Sequence, residues 1–493
     1  MNYLLSASQM KDCDETTIHE FKVPQLVLME RAALAVADSM KDEEVDLKKI
    51  LVICGHGNNG ADGVALARIL WEEERDVTIY MSAGENLQGA LKYQLEMAEA
   101  LQIPIIGNLN ENAYTVIVDA LFGVGCNRPL TGEPEEIVAY INRQRLAGAT
   151  VVSVDIPSGI HASTGSVLGT AVKADLTVTF AFYKRGQILY PGADYCGKIL
   201  VKQIGITRRA LKEQENYCRL LQKDDLKLPK REAYSNKGTY GKVLLIAGSQ
   251  DVGGAALMSA KAAFAAGAGM LKIVTHKNNQ EAFLANLPEA MLLTYENDIR
   301  EEALQQAIRW ADIVAIGPGI STSETGKKLL KFSFSYTEGK WILLDADAIT
   351  IAAEHRDWLK GHQVIMTPHV GEYLRYAKGS KEELFDDFIE QAKLFAIENQ
   401  VQLILKDTRT VCATSEGDVY VNRFGNSGMA KAGSGDVLFG ILSAFVARKI
   451  PVKEAMYEAV LLHALCGDRA KEQCGEYGMM ATDLIRMIPD ILK

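Results

Sequence analysis

Short apolar runs, each ending in glycine or a polar residue and each followed by a stretch with helical spacing, recur along the chain. The first clear one is Lys49-Ile-Leu-Val-Ile-Cys-Gly55, whose unbroken hydrophobicity fits a parallel strand buried on both faces. Gly57-Asn-Asn-Gly-Ala-Asp-Gly63 leads from it into a helix predicted over 64–74. Further strands are predicted at 76–82, 115–122, 150–156, 175–182 and 198–206, with helical stretches at 87–102 and 133–148. Residues 1–48 read as helical around Pro24. Strands alternating with helices make a doubly wound sheet, whose ligand sits beyond the carboxyl ends of the strands.

The stretch 207–241 is charged and turn-rich, and a boundary is expected there. The alternation then resumes, with strands at 242–248, 270–275, 312–316, 341–345, 364–367 and 401–406 and a small-residue helix at 253–267. A second α/β sheet with its own core follows. The 493 residues exceed what one core usually supports, so two or three domains are expected, and the join at 207–241 sets two of them apart as 1–210 and 230–493.

Composition narrows the function classes. With 53 basic against 63 acidic residues the net charge is −10, which argues against non-specific binding to nucleic acid or anionic membrane. The 8 cysteines are scattered without a Cys-x-x-Cys pair, so neither a zinc site nor a disulfide framework is expected. No run approaches the ~18 apolar residues of a membrane span, and a cytoplasmic protein with small-molecule partners is expected.

The candidate chemistry lies at the strand ends. In Asn426-Ser-Gly-Met-Ala-Lys-Ala-Gly-Ser-Gly-Asp436, a glycine loop opens the apolar helix that begins at Val437, which makes an anion site of exposed N–H groups and helix dipole. Asp436 there is either a first-turn acid or a base that takes a proton from a nucleophilic hydroxyl. Other strand ends in this half carry Gly317-Pro-Gly-Ile-Ser321, Asp345-Ala-Asp347, Thr367-Pro-His-Val-Gly-Glu372 and Lys406-Asp-Thr-Arg-Thr410. In the first half they carry Asn58-Asn-Gly-Ala-Asp62, Asp119 with Gly123 and Gly125, and Asp155 with Ser158. Asp119 and Asp155 read equally as loop-end acids or as site residues. Lys184 and Arg185 read as a solvated basic turn in preference to phosphate ligands.

Together, Gly55-His-Gly-Asn-Asn-Gly-Ala-Asp-Gly63, Asp119-Ala-Leu-Phe-Gly-Val-Gly125, Val154-Asp-Ile-Pro-Ser-Gly159 and Tyr190-Pro-Gly192 resemble the NAD(P)H-hydrate epimerase domain, the YjeF N-terminal domain. The resemblance implies a Rossmann-like domain that holds the hydrated dinucleotide at Asn58, Asn59, Gly60, Ala61 and Asp62 and at Gly123, Val124, Gly125, Cys126, Asn127, Arg128 and Pro129. It implies potassium on Asn59, Asp119 and Ser158, and proton exchange with the ring hydroxyl by Asp155. Amide, carboxylate and hydroxyl oxygens suit a hard cation.

In the second half, Ala-Gly-Ser249 with Gly254-Ala-Ala256, Gly317-Pro-Gly319, Thr-Pro-His-Val-Gly-Glu372 and Gly-Ser-Gly-Asp436 resemble, in order, the ADP-dependent NAD(P)H-hydrate dehydratase, a ribokinase-like domain. Ala256, Gly319, His369 and Asp436 would then contact the hydrated cofactor, with Asp436 catalytic. Lys406, Asp407, Thr408, Arg409 and Thr410, with the loop from Asn426 through Gly433, Ser434 and Gly435, would hold ADP, or ATP in its place, with Mg²⁺. The partners implied are NADHX, NADPHX, the adenine nucleotide and further copies of the chain in a homo-oligomer. Three positions depart from the family pattern, namely Ala61, Ser321 and Asp407, each standing where glycine is usual. The competing reading is a ribokinase-type small-molecule kinase fused to a non-catalytic dinucleotide-binding module.

Overall fold

The computed structural model describes residues 1–82, 89–109, 112–212, 216–296 and 298–493. The chain divides into two compact units, Asn2–Tyr217 and Cys218–Lys493.

In the first unit seven parallel strands lie side by side in the order Ile105–Ile106, Val77–Met81, Ile50–Cys54, Val116–Ala120, Thr150–Val154, Leu176–Phe180, Lys198–Lys202. The order grows outward from Ile50–Cys54 in both directions, so a topological switch point falls between that strand and Val116–Ala120. Every residue of Ile50–Cys54 is buried, as its unbroken apolar run requires. Successive side chains point to opposite faces. Ile50, Val52 and Cys54 therefore join a core with the helices Gln25–Asp42 and Asn58–Glu72, while Leu51 and Ile53 join one with Glu133–Leu146.

Two expectations are corrected here. Residues 1–48 are not helical throughout, because Asn2–Leu5 is a strand paired in parallel with Tyr183–Lys184. The first helix, Ala7–Glu15, begins only where Ser6 and Gln9 form a capping box. The helix predicted over 64–74 starts earlier, at Asn58, with Gly57 as its cap, so the Asn-Asn-Gly motif is a first helical turn and not a loop before the helix. The predicted helix at 87–102 is seen as Gly89–Ala100; its first two positions, and residues 213–215 of the predicted join, lie outside the described residues.

In the second unit seven strands run parallel in the order Met291–Tyr295, Met270–His276, Lys242–Ile246, Ile313–Ile316, Trp341–Leu344, Gln363–Met366, Gln402–Leu405. The switch point falls between Lys242–Ile246 and Ile313–Ile316. Beyond Gln402–Leu405 the sheet continues antiparallel through Val411–Ala413 and Val419–Val421, and Cys218–Leu220 pairs with the last of these. These three-residue strands are too short to leave a periodic signature, and none was predicted. Helix Ser434–Ala447 is buried along nearly its whole length, packed with the alanine-rich helix Gly254–Ala265. Among the described residues no helix is long and apolar enough to cross a membrane.

Candidate active sites

A cavity of about 920 Å³ opens at the first unit's switch point. Its wall includes Asn58, Asn59, Asp62, Gly123, Val124, Gly125, Cys126, Asn127, Arg128, Pro129 and Asp155. Gly60 and Ala61 are not on that wall, being buried in the first turns of their helix. Asp119 and Ser158 are buried, and no part of either reaches the cavity surface. The Asp119 carboxylate accepts from Ser158 Oγ at 2.6 Å, from the Ser158 N–H at 2.9 Å and from Ser153 Oγ at 2.9 Å. Burial pushes this carboxyl above the usual range, and the Ser158 donors oppose the rise. The Asn59 side chain lies against Gly123, and its amide nitrogen is buried without a partner. Since amide oxygen and nitrogen are near-isosteric, the same side chain turned about would offer oxygen at that point.

Asp155 adopts a positive φ of 65°, a costly conformation for any residue but glycine and one that clusters at functional sites. Its Oδ1 accepts from Thr179 Oγ1 at 3.0 Å and from the ammonium of Lys184. Lys184 is therefore no solvated turn. It is fully buried, with further bonds to Thr179 Oγ1 at 2.8 Å and the Phe180 carbonyl at 3.0 Å. The reason is its setting, since apolar Phe180-Ala-Phe-Tyr183 precedes it and places its ammonium next to a buried carboxylate that needs a counter-charge. Arg185 is buried as well. Two more acids line the cavity. Asp14 is pushed up to about 7, by burial first, with Lys184 opposing and Asp155 adding. Asp62 is raised well above the usual range by burial, then by Asp155 and Asp14.

In the second unit the strand-end residues converge in the same way. Gly317 approaches Asp345 so closely that a Cβ would meet the Asp345 carbonyl at 1.9 Å, which ties the Gly-Pro-Gly turn to the next strand end. The Gly248 N–H donates to the Pro318 carbonyl and the Ser249 N–H to that of Gly319, and Ala256 sits beside Gly248 in the first turn of its helix. Gly433, at φ 95°, caps helix Ser434–Ala447 against Met258 of the helix that carries Ala256. Lys406 donates to Asp345 Oδ1 at 2.7 Å and lies 3.3 Å from where a Cβ on Gly435 would stand. Asp436 follows in the helix's first turn, pushed up to about 7 by burial and by the nearby Asp345 and Glu372, with Lys406 opposing.

His369 caps helix Val370–Ala377, its Nδ1 accepting from the N–H groups of Gly371 at 2.9 Å and Glu372 at 3.3 Å. Glu372 accepts from the His369 N–H at 2.9 Å, and its carboxyl is raised by burial against the pull of Lys406. The Asn426 side chain ties its loop to the helix Val452–Gly478, accepting from Gly428 N–H at 3.1 Å and donating to Asp468 at 3.1 Å. Below the glycine loop, half-buried His463 donates from Nε2 to the Ser434 carbonyl at 2.9 Å. Burial holds this imidazole down at about 4. Asp407, Thr408, Arg409 and Thr410 form the turn between Gln402–Leu405 and Val411–Ala413, where burial raises Asp407.

Residues 25–186 match the family model of the YjeF-related protein N-terminus, and residues 243–490 that of the NAD(P)H-hydrate dehydratase. The bifunctional NAD(P)H-hydrate repair enzyme of Moorella thermoacetica is 34% identical, over 100% of this chain and 97% of its own. The chain belongs to the bifunctional NAD(P)H-hydrate repair enzymes. The repair enzyme of Escherichia coli K12 is 32% identical over 94% of this chain and 89% of its own. A ribokinase-like superfamily protein of Enterococcus faecalis, 29% identical, covers 55% of this chain and 94% of its own with a TM-score of 0.52. Membership of the repair enzymes sets aside the fused kinase and binding-module reading.

Within this repair-enzyme chain, Lys184, Asp345, Glu372 and His463 bond to candidate residues and Asp14 lines the same cavity, without having been predicted among them. Asp345 and Glu372 stood out only as strand-end acids, and Asp14 and His463 left no pattern at all. Ser321, one of the three departures from glycine, has φ 68°, while its N–H donates to Asp347 at 2.9 Å. A side chain in the left-handed region costs about 1–2 kcal/mol. Ser321→Gly is therefore expected to stabilise the second unit by about 1 kcal/mol, read as a rise in denaturant midpoint at unchanged slope. An unchanged or lower midpoint would show that the Ser321 side chain compensates for its backbone.

Proposed function

We propose that this chain repairs NADH and NADPH whose nicotinamide ring has taken up water. The first unit exchanges the R and S forms of the hydrate, and the second dehydrates the S form while converting ADP to AMP and phosphate. One observation carries the reading: the Asp436 carboxyl stands beside Lys406 in the first turn of a helix whose glycine loop leaves N–H groups open to an anion. A proton acceptor beside a phosphate cradle suits phosphoryl transfer to a hydroxyl.

The sequence of events follows from these groups. Phosphates of the nucleotide lie on the Gly433–Gly435 loop and are drawn by Lys406. Asp436 takes the proton of the ring hydroxyl as that oxygen bonds to the β-phosphorus of ADP and the bond to AMP breaks. Hydroxide is a poor leaving group and phosphate a good one. The lone pair of the ring nitrogen then expels phosphate and restores the dihydronicotinamide after loss of the adjacent proton. Mg²⁺ fits here as an ion carried by the nucleotide, because among the described residues no three His, Cys, Asp or Glu side chains gather as ligands. It would neutralise phosphate charge. The test is incubation with hydrated NADH and ADP or ATP, following the absorbance of regenerated dihydronicotinamide. Recovery is expected with ADP, and no recovery with either nucleotide would overturn the reading.

Potassium fits the first unit, where Asn59, Asp119 and Ser158 would hold it. The unpartnered amide end of Asn59 leaves a buried point for a cation-facing oxygen, and one carboxylate supplies too little charge to favour a divalent ion. Asp119→Ala should weaken activation by potassium about 10-fold or more and raise KM for the hydrate, with dehydration unaltered. Full epimer exchange in potassium-free buffer would count against the ion.

A further inference from the structure

Four ionisable side chains share the floor of the first unit's cavity: Asp14 on helix Ala7–Glu15, Asp62 on helix Asn58–Glu72, Asp155, and Lys184. Their bonding separates them. Lys184 spends its three N–H donors on Asp155, Thr179 and the Phe180 carbonyl, so none is left for Asp14. The bonds to the Asp155 side chain all end on Oδ1, from Lys184, Thr179 and the Phe180 N–H at 3.3 Å. Among the described residues no hydrogen bond or ion pair reaches the Asp14 carboxyl, which lines the cavity with both oxygens free to meet a ligand. One cavity thus holds an ion-paired carboxylate and, facing it, an unpaired carboxyl.

Exchange of the ring hydroxyl needs both. The carbon that carries it is bonded to the ring nitrogen, and hydroxide leaves poorly unless it is protonated as it goes; the returning water must lose a proton. We infer that Asp14 is the acid and Asp155 the base of this exchange, an inference that rests on the epimerase reading above. Asp14 gives its proton to the departing oxygen while the C–O bond breaks and the nitrogen lone pair forms a C=N⁺ bond, releasing water. Water then bonds to the same carbon from the opposite face, the C=N electrons return to nitrogen, and Asp155 takes the proton released. Return of that proton from Asp155 to Asp14, or turnover in the reverse direction with roles exchanged, restores the pair. The environments agree with the roles, since two carboxyls of one site are set apart by their surroundings. Asp14, pushed up to about 7 and facing Lys184, Asp155, Asp62 and Glu15, keeps its proton in much of the population at neutral pH.

The experiment follows epimer exchange of hydrated NADH by NMR, in the full-length chain, as wild type, D14N, D14E and D155N. D14N should lower kcat about 100-fold or more with KM within a few fold, and the fall of wild-type kcat as pH rises through about 7 should vanish. D14E should recover at least a tenth of wild-type kcat. Turnover of D14N within threefold of wild type, or persistence of the alkaline limb in it, overturns the inference while leaving the epimerase reading intact. Should D14N not fold, D14S makes the same measurement with a smaller uncharged side chain. A wild-type chain that exchanges no epimers overturns the epimerase reading and the inference together, whereas an active wild type with an inert D155N and an unaffected D14N overturns only the assignment of Asp14.

Discussion

Asp436→Asn is expected to lower dehydration by about 10³-fold while ADP binds at least as tightly as before. The amide keeps the shape and reach of the carboxyl but takes up no proton, so the loss falls on the chemical step, where a positioned base supplies roughly 10²–10⁴. Removing a charge near the phosphate loop relieves repulsion and does not weaken the nucleotide. Stability should move the other way. Burial lifts this carboxyl from the ordinary 3.8 to about 7, so the native state favours its neutral form. A raised acid contributes stability fully below its unfolded value and loses that contribution as pH climbs toward 7. The asparagine variant, neutral throughout, should therefore melt higher than wild type at pH about 8 and show little difference at pH about 4. Single-turnover dehydration, an ADP titration and melting curves at the two pH values check the three parts. Turnover near normal would reduce Asp436 to a first-turn acid of its helix.

Lys184→Met is expected to cost about 3–5 kcal/mol, the usual result of leaving one partner of a buried ion pair alone. Of the bonds to Oδ1 seen among the described residues, Asp155 would keep those from Thr179 and from a distant N–H, and the carboxylate would lose its ion pair. Epimer exchange should be lost with the stability. Dehydration of the S form should persist at temperatures where the first unit is still folded, because the two units have separate cores. Adding Asp155→Asn removes the stranded charge, so the double variant should regain much of the stability and none of the exchange. Denaturant melts of the four proteins in that cycle measure the coupling, and additive losses would mean that the pair is not a unit.

Much of the sheet architecture could be read from the chain, for a physical reason. A parallel strand covered on both faces is expected to be apolar, and Ile50–Cys54 and Ile313–Ile316 announce themselves in that way. Strands of three residues, such as Val419–Val421, carry too few side chains for a pattern. Asn58 and Asn59 looked like loop because polar amides open the motif, yet Gly57 caps them into a helix. The polar strand ends showed which positions gather beyond the sheet, but not which side chains pair there. Lys184 meets Asp155 across 29 residues of chain, and a basic pair such as Lys184-Arg185 reads locally as surface. Asp14 lay in a stretch whose helical spacing concealed that one polar position faces inward. Glu372, Asp345 and Asp436 converge on Lys406 from two helix starts and a strand end, and no local spacing encodes that convergence.

His463 has a bearing on how the second unit responds to acidity. Its imidazole stays neutral at every pH above about 4 and keeps its proton on the nitrogen that holds the Ser434 carbonyl. The Gly433–Gly435 loop thus rests on a support that does not titrate near neutral pH, while the carboxyl two residues beyond Ser434, at Asp436, does. A fall in pH through 7 would then withdraw the proton acceptor without weakening the hold on the nucleotide, so hydrate consumption would slow with the nucleotide still bound and resume as soon as the pH recovered.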